Sequence, residues 1–144
     1  MPDPVTWGKE TSLLDANVLI ALVVVEHEHH EVAEGWFVGQ SEVLLCPTVE
    51  GALMRYLVRL GESATTAGEV LHRWREHAKV TFVPDDQSYT VADWSSVRGY
   101  RQITDTHLVS LARRHGARLA TFDRALVVQH ADGARSVPVR RQER

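Results

Sequence analysis

The chain of 144 residues holds a single cysteine, Cys46. One thiol closes no intramolecular disulfide, and a lone cysteine lacks the paired spacing of cysteine-based zinc sites. The expected setting is therefore a reducing one, with the fold held by its core rather than by cross-links. Lysine is scarce too, present only as Lys9 and Lys79, so arginine carries almost all the positive charge. Guanidinium groups suit bidentate contacts to phosphate. No large surplus of either sign exists: 16 basic against 19 acidic residues leave a net charge of −3. That balance does not advertise nucleic-acid binding, yet an acidic pocket that holds cations can coexist with a local positive rim. Long apolar runs are also missing. The run "VLIALVVV", Val18 to Val25, is eight residues, far short of a membrane span. The opening "MPDPVTWGKE" puts prolines and charges where a secretory leader needs basic residues and an apolar stretch. The reading is a cytoplasmic protein that engages no membrane.

What remains is an ordinary globular composition, 44% hydrophobic, on a chain long enough for one substantial core. Residues 1–10 read as an irregular lead-in, 11–140 as a single domain and 141–144 as a charged tail. No repeat or linker interrupts the domain.

Short apolar runs alternate with helical patterns along its length. Ser12–Leu14, Val43–Cys46, "VTFVP", "ARLATF" and "SVPV" read as strands. The first helix is expected over Asn17–Val24, and another resumes after the exposed run "EHEHHE". A third follows Pro47, with Thr48 as cap and Gly61 as stop, and "SATTAGEVLHRWREHAK" gives a fourth. A modest helix is expected over 88–98. The most legible unit is "QITDTHLVSLARRHGARLATFD": Thr104 or Asp105 caps a helix, Gly116 ends it, and Asp123 stands at the end of the next strand. A short helix through Leu126–Val128 completes the set. Such alternation calls for a mostly parallel sheet covered on both faces, an α/β class.

In parallel sheets ligands gather beyond the carboxyl ends of the strands. Asp15 and Asp123 each follow a strand directly, and Glu50 and Asp105 each lie in the first turn of a helix. Each acid alone has a plain explanation as a turn former, a cap or a dipole partner. Together they can converge on one end of the sheet, where clustered carboxylates repel unless a cation joins them. Oxygen ligands without clustered cysteine suit hard ions such as Mg2+ or Mn2+.

The stretches "LLDANVLIAL", "TVEGALMRYL" and "ITDTHLVSLARRHGARLATFDRAL" together resemble the PIN-domain nucleases, most closely the VapC toxins of bacterial VapBC toxin–antitoxin pairs. The arginine-rich, lysine-poor version, with a Trp-Phe pair after "HEHHEVAE", is similar to actinobacterial members. The resemblance spans about residues 11 to 140. It implies a three-layer α/β/α sandwich around four to five short strands. It also implies that Asp15, Glu50, Asp105 and Asp123 hold one or two Mg2+ or Mn2+ ions, with Asn17 and Thr121 orienting ligands or water. The implied activity is metal-dependent endoribonuclease hydrolysis that leaves a 5′-phosphate and a 3′-hydroxyl. The implied partners are a VapB-like antitoxin, a second copy of the chain in a homodimer and a higher toxin–antitoxin assembly. Operator DNA would be met only through the antitoxin.

Beyond the acids, Arg55, Arg59, Arg98 and Arg101 are candidates for RNA phosphate contacts, as are Arg73 and Arg75. Trp36, Phe37, Trp74 and Trp94 read as core or interface residues. His27, His29 and His30 read as a solvated loop rather than a metal site, and His107 as a first-turn surface histidine. Three alternatives stay open. A haloacid-dehalogenase-like phosphatase would want Asp-x-Asp where Asp15-Ala16-Asn17 stands. A receiver-like regulatory module would want a lysine after a late strand. A PIN-like RNA-processing nuclease would keep the chemistry without the toxin role.

Overall fold

A computed structural model describes residues 11–138; the expected lead-in 1–10 and tail 141–144 lie outside the described residues. Five strands form one sheet in the order β3-β2-β1-β4-β5: β1 Ser12–Leu14, β2 Val43–Leu45, β3 Val80–Phe82, β4 Arg118–Thr121 and β5 Ala134–Ser136. Every pairing is parallel, with Leu13 opposite Leu44 on one side and Leu119 on the other. Among the described residues six α-helices flank the sheet: α1 Ala16–Val23, α2 His30–Val38, α3 Pro47–Arg59, α4 Ala64–Arg75, α5 Ile103–Arg114 and α6 Arg124–Gln129. The α/β class and covered parallel sheet are as expected. A receiver-like chain would show the order 2-1-3-4-5, which this sheet does not have.

The central strands carry no polar alternation because both of their faces are covered. Leu13, Leu14, Leu45 and Leu119 are fully buried, as are Val18, Leu19 and Leu53 of the helices above them. Phe37 joins this core, with Trp36 and Trp74 half-buried against it. Two helix exits use glycine for its conformational freedom: Gly61 at φ 105° after α3 and Gly116 at φ 71° after α5, a region that L side chains rarely enter.

Several boundaries differ from the sequence reading, each for a local reason. The cap of α3 is Cys46 with Pro47 in the first turn, a position where proline's missing N–H costs nothing; Thr48 therefore does not cap. Helix α5 starts at Ile103 behind a 3-10 turn, Tyr100–Gln102, so neither Thr104 nor Asp105 is its cap. Over 88–98 only a single 3-10 turn forms, Tyr89–Val91. There Ser88 and Asp93 take the backbone N–H groups of Thr90 and Ser95 onto their own side chains, which competes with a continuous helix. The last strand begins earlier than "SVPV" and ends before Pro138, which has no N–H to offer the ladder. Gly133 immediately precedes it, at a place where a Cβ would stand 2.6 Å from Val109 Cγ1 on α5.

Candidate metal site

The strand order reverses direction about β1 and β4, so the crevice at their carboxyl ends is the switch point where open α/β sheets bind ligands. Asp15 follows β1 and Asp123 follows β4. Asp15 is 5% exposed and caps α1, its Oδ1 accepting from the Ala16 N–H at 2.8 Å. Its Oδ2 accepts from the Thr121 hydroxyl at 2.7 Å. Thr121 Oγ1 also accepts from Asn17 Nδ2 at 3.1 Å and from the Asp123 N–H at 3.0 Å. One donor and two lone pairs are thereby all in use. Asn17 Oδ1 accepts from the Phe122 N–H at 3.2 Å, and Asp123 caps α6 through Leu126. The cap reading and the ligand reading of Asp15 are therefore compatible, since the cap occupies one lone pair of one oxygen.

Asp105 enters from α5, in its first turn and half-buried. It has no hydrogen-bond partner among the described residues. Burial first, then the charges of Asp15 and Asp123, push its carboxyl up to about 6. Asp15 is also held above its usual value, by burial and more weakly by Asp123, against the bonds from Thr121 and Ala16. These three acids thus share one electrostatic environment. Glu50 is placed differently: burial raises its carboxyl and Arg75 lowers it, with Arg75 Nε 3.8 Å from Glu50 Oε2. The Arg75 guanidinium lies 4.4 Å above the Phe82 ring.

Among the described residues, no three His, Cys, Asp or Glu side chains are gathered into a ready-made metal cage. Mutually repelling carboxylates do not close up without a counter-charge. The donor set nonetheless fits a hard divalent ion: oxygen ligands only, with Asp15, Glu50 and Asp105 partly desolvated and Asp105 raised further by Asp15 and Asp123.

All six candidate arginines are exposed. Arg55 folds back so that its Nη1 would meet a Cβ on Gly51 at 3.2 Å, next to Glu50. Arg59 lies in the last turn of α3, Arg98 is tied by its N–H to Gln102, and Arg101 lies over the Tyr100 ring. The histidine run is corrected from solvated to half-buried: His30 bonds the Ala21 carbonyl at 2.8 Å and His29 packs on Phe122 with ring centres 5.1 Å apart. His107 is corrected outright. It is fully buried, stacked on Tyr89 with ring centres 4.0 Å apart, and bonded through Nε2 to Asp85 Oδ1 at 2.7 Å. Asp85 was visible to the rule that found Asp15 and Asp123, since it follows the third strand as they follow the first and fourth.

Comparison with known proteins gives the family. The PIN domain matches residues 12–131. Ribonuclease VapC29 of Mycobacterium tuberculosis is 43% identical over 129 residues, covering 89% of this chain and 97% of that protein. The crystal structure of M. tuberculosis VapC20, described as a sarcin-ricin loop cleaving toxin, superposes with a TM-score of 0.63 at 16% identity, over 81% of this chain and 92% of that one. VapBC2 from Rickettsia felis, bound to a DNA fragment from its promoter, gives 0.58 at 12% identity, over 88% and 96%. With its switch-point acids, its sheet order and this extent of identity, the chain belongs to the PIN-domain family, in its VapC branch.

Proposed function

We propose that the chain is a Mg2+- or Mn2+-dependent endoribonuclease and the toxin of a toxin–antitoxin pair. One observation carries the reading: Asp15, Asp105 and Asp123 are electrostatically coupled at the sheet's switch point, in a chain 43% identical to a protein named as a ribonuclease. Asp15, Asp105 and Asp123 would hold the ion, with Glu50 joining from α3 as ligand or through water. The ion supplies Lewis-acid polarisation of water and of the phosphoryl oxygens. Asn17 and Thr121 hold Asp15 and the backbone at Asp123 in place through the hydrogen bonds at Thr121 Oγ1. Asp105, unencumbered by hydrogen bonds, is the carboxylate most easily drawn toward a cation. Arg75 beside Glu50 and Arg55 over Gly51, with Arg98 and Arg101 ahead of α5, supply positive charge for RNA phosphates.

The partner is a VapB-like antitoxin. Related folds were solved with such partners, and exposed Val58 and Leu60 at the end of α3 offer apolar surface for contact. A homodimer, a higher toxin–antitoxin assembly, operator DNA bound only by the antitoxin, and a cytoplasmic site of action complete the proposal. No helix among the described residues is long and apolar enough to cross a membrane.

The test is Asp15→Asn. Asparagine caps helices as well as aspartate does, so α1 survives, while the charge at the switch point is lost. Purified wild type should cut RNA in Mg2+ to leave 5′-phosphates, and the variant's rate should drop by about three orders of magnitude. Circular dichroism would establish that the variant is folded. Retained cleavage by that folded variant sinks the assignment.

A further inference from the structure

The segment "VPDD" leaves β3 and crosses toward α5. Asp85 stands at the start of that crossover with its side chain 27% exposed, and its two oxygens serve two different helices. Oδ2 accepts from Thr48 Oγ1 at 2.7 Å and Oδ1 from His107 Nε2 at 2.7 Å. Thr48 precedes Glu50 by two residues in α3, and His107 follows Asp105 by two residues in α5. A single carboxylate thus bridges the first turn of α3 and the second turn of α5, the two helices that carry the outer acids. Direct contact between those helices is sparse, and Asp85 joins them by hydrogen bonds.

The histidine end is rigid. The imidazole is fully buried, and Tyr89 covers one face at 7° between ring planes. Its Nδ1 is buried without a partner, so the ring's one polar attachment is Asp85. Rotation about the side chain would strand both nitrogens, a costly outcome in a dry site. The threonine end is adjustable, because a half-buried hydroxyl can turn away. Bonds to a carboxylate are short and strong, and both bonds here fall in that range.

We infer that Asp85, held by His107 and gripping Thr48, is a positioning residue that sets the spacing between Glu50 and Asp105 and so the affinity of the site for a divalent cation. The inference rests on Glu50 and Asp105 being metal ligands. Partners behind a ligand shell commonly change metal affinity 10–100-fold when removed.

Truncating Asp85 would strand buried His107 and threaten the fold, so Thr48 is the position to change. Mn2+ titration calorimetry on the full chain would compare wild type, Thr48→Val, Thr48→Ser and Asp105→Asn, with thermal melts of each without metal. Thr48→Val should weaken Mn2+ binding about tenfold with little change in melting temperature, and Thr48→Ser should restore the affinity. Asp105→Asn should lose most of it. Wild-type affinity in Thr48→Val alongside loss in Asp105→Asn overturns the strut alone. So does a lowered melting temperature in Thr48→Val with unchanged affinity, the mark of a merely structural hydroxyl. Wild-type affinity in Asp105→Asn overturns the metal-site reading itself, and the strut with it.

Discussion

The wall of the site built by β1 and β4 and the wall built by α3 and α5 hold their acids by different means. On the strand side, Asp15 and Asp123 each cap a helix, and Thr121 binds Asp15, Asn17 and the Asp123 backbone at once. Both Asp15 oxygens and Oδ1 of Asp123 accept a hydrogen bond. On the helix side, Glu50 leans on a half-exposed arginine at 3.8 Å, and Asp105 has no hydrogen bond among the described residues. Hydrogen bonds to a carboxylate oppose the cost of its burial. Where they are missing, the cost collects, which is why Asp105 is the acid pushed up to about 6. One wall is fixed before any ligand arrives, and the other is left to be completed by charge.

The largest expected break in this contrast is Thr121→Val. It keeps the shape but leaves Asp15 Oδ2, Asn17 Nδ2 and the Asp123 N–H without their partner in a buried place. The loss should be about 2–3 kcal/mol, read from the urea midpoint, with RNA cleavage reduced in parallel. A loss below that of an exposed Thr90→Val control would mean that the strand wall is not rigid.

Asp105→Asn should act in the opposite direction on stability. The folded value of about 6 lies above the unfolded 3.8, so between them the native state binds the extra proton. Stability of the metal-free protein therefore falls as pH rises through that window, and the full cost is present above it. Asparagine removes the cost. After discounting for solvent at a half-exposed carboxyl, the gain at pH 7.5 should be about 1 kcal/mol. Melting curves from pH 4 to 8 without metal check it: the variant's slope should be flatter, and equal slopes would refute the coupling.

The smallest effect belongs to Arg75→Gln. An exposed ion pair contributes little to stability, less than about 0.5 kcal/mol here. The sign on Glu50 is clear, because Arg75 is what lowers its carboxyl. Without it the acidic limb of the cleavage profile should move to higher pH. A profile that does not move would remove Glu50 from the titrating groups that govern activity.

How much of this was legible beforehand follows from which forces act locally. Leu13 and Leu14 announce a strand buried on both faces, and the acids after β1 and β4 announce the crevice, because a parallel sheet leaves them nowhere else to go. Helix α5 was readable as a helix but not as one enclosed on so many sides. Thr106, His107, Leu108 and Val109 are consecutive and all buried, a pattern that amphipathic spacing assigns in part to solvent. His107 is covered from residues 83–102, a crossover with almost no regular structure and hence no periodicity to read, while Thr106 and Val109 meet His130 and Gly133. Asp85 belonged to the same class of signal as Asp15, and its two partners were hidden because both bonds span the fold. Thr48 and Arg75 likewise acquire their roles only when α3, α4 and the crossover meet.

The bond between Asp15 and Thr121 joins positions 106 residues apart. During synthesis the first acid, its helix and the strand before it leave the ribosome long before the threonine that orients them exists. Strand β1 likewise waits for β4, so the central pairing of the sheet and the completion of the pocket are the same late event. A stalled or truncated product ending before β4 carries Asp15, Glu50 and Asp105 but not the hydroxyl and the last acid that organise them. On the proposed reading of the site, competence to cut is thus tied to finished translation by the order in which the chain is made.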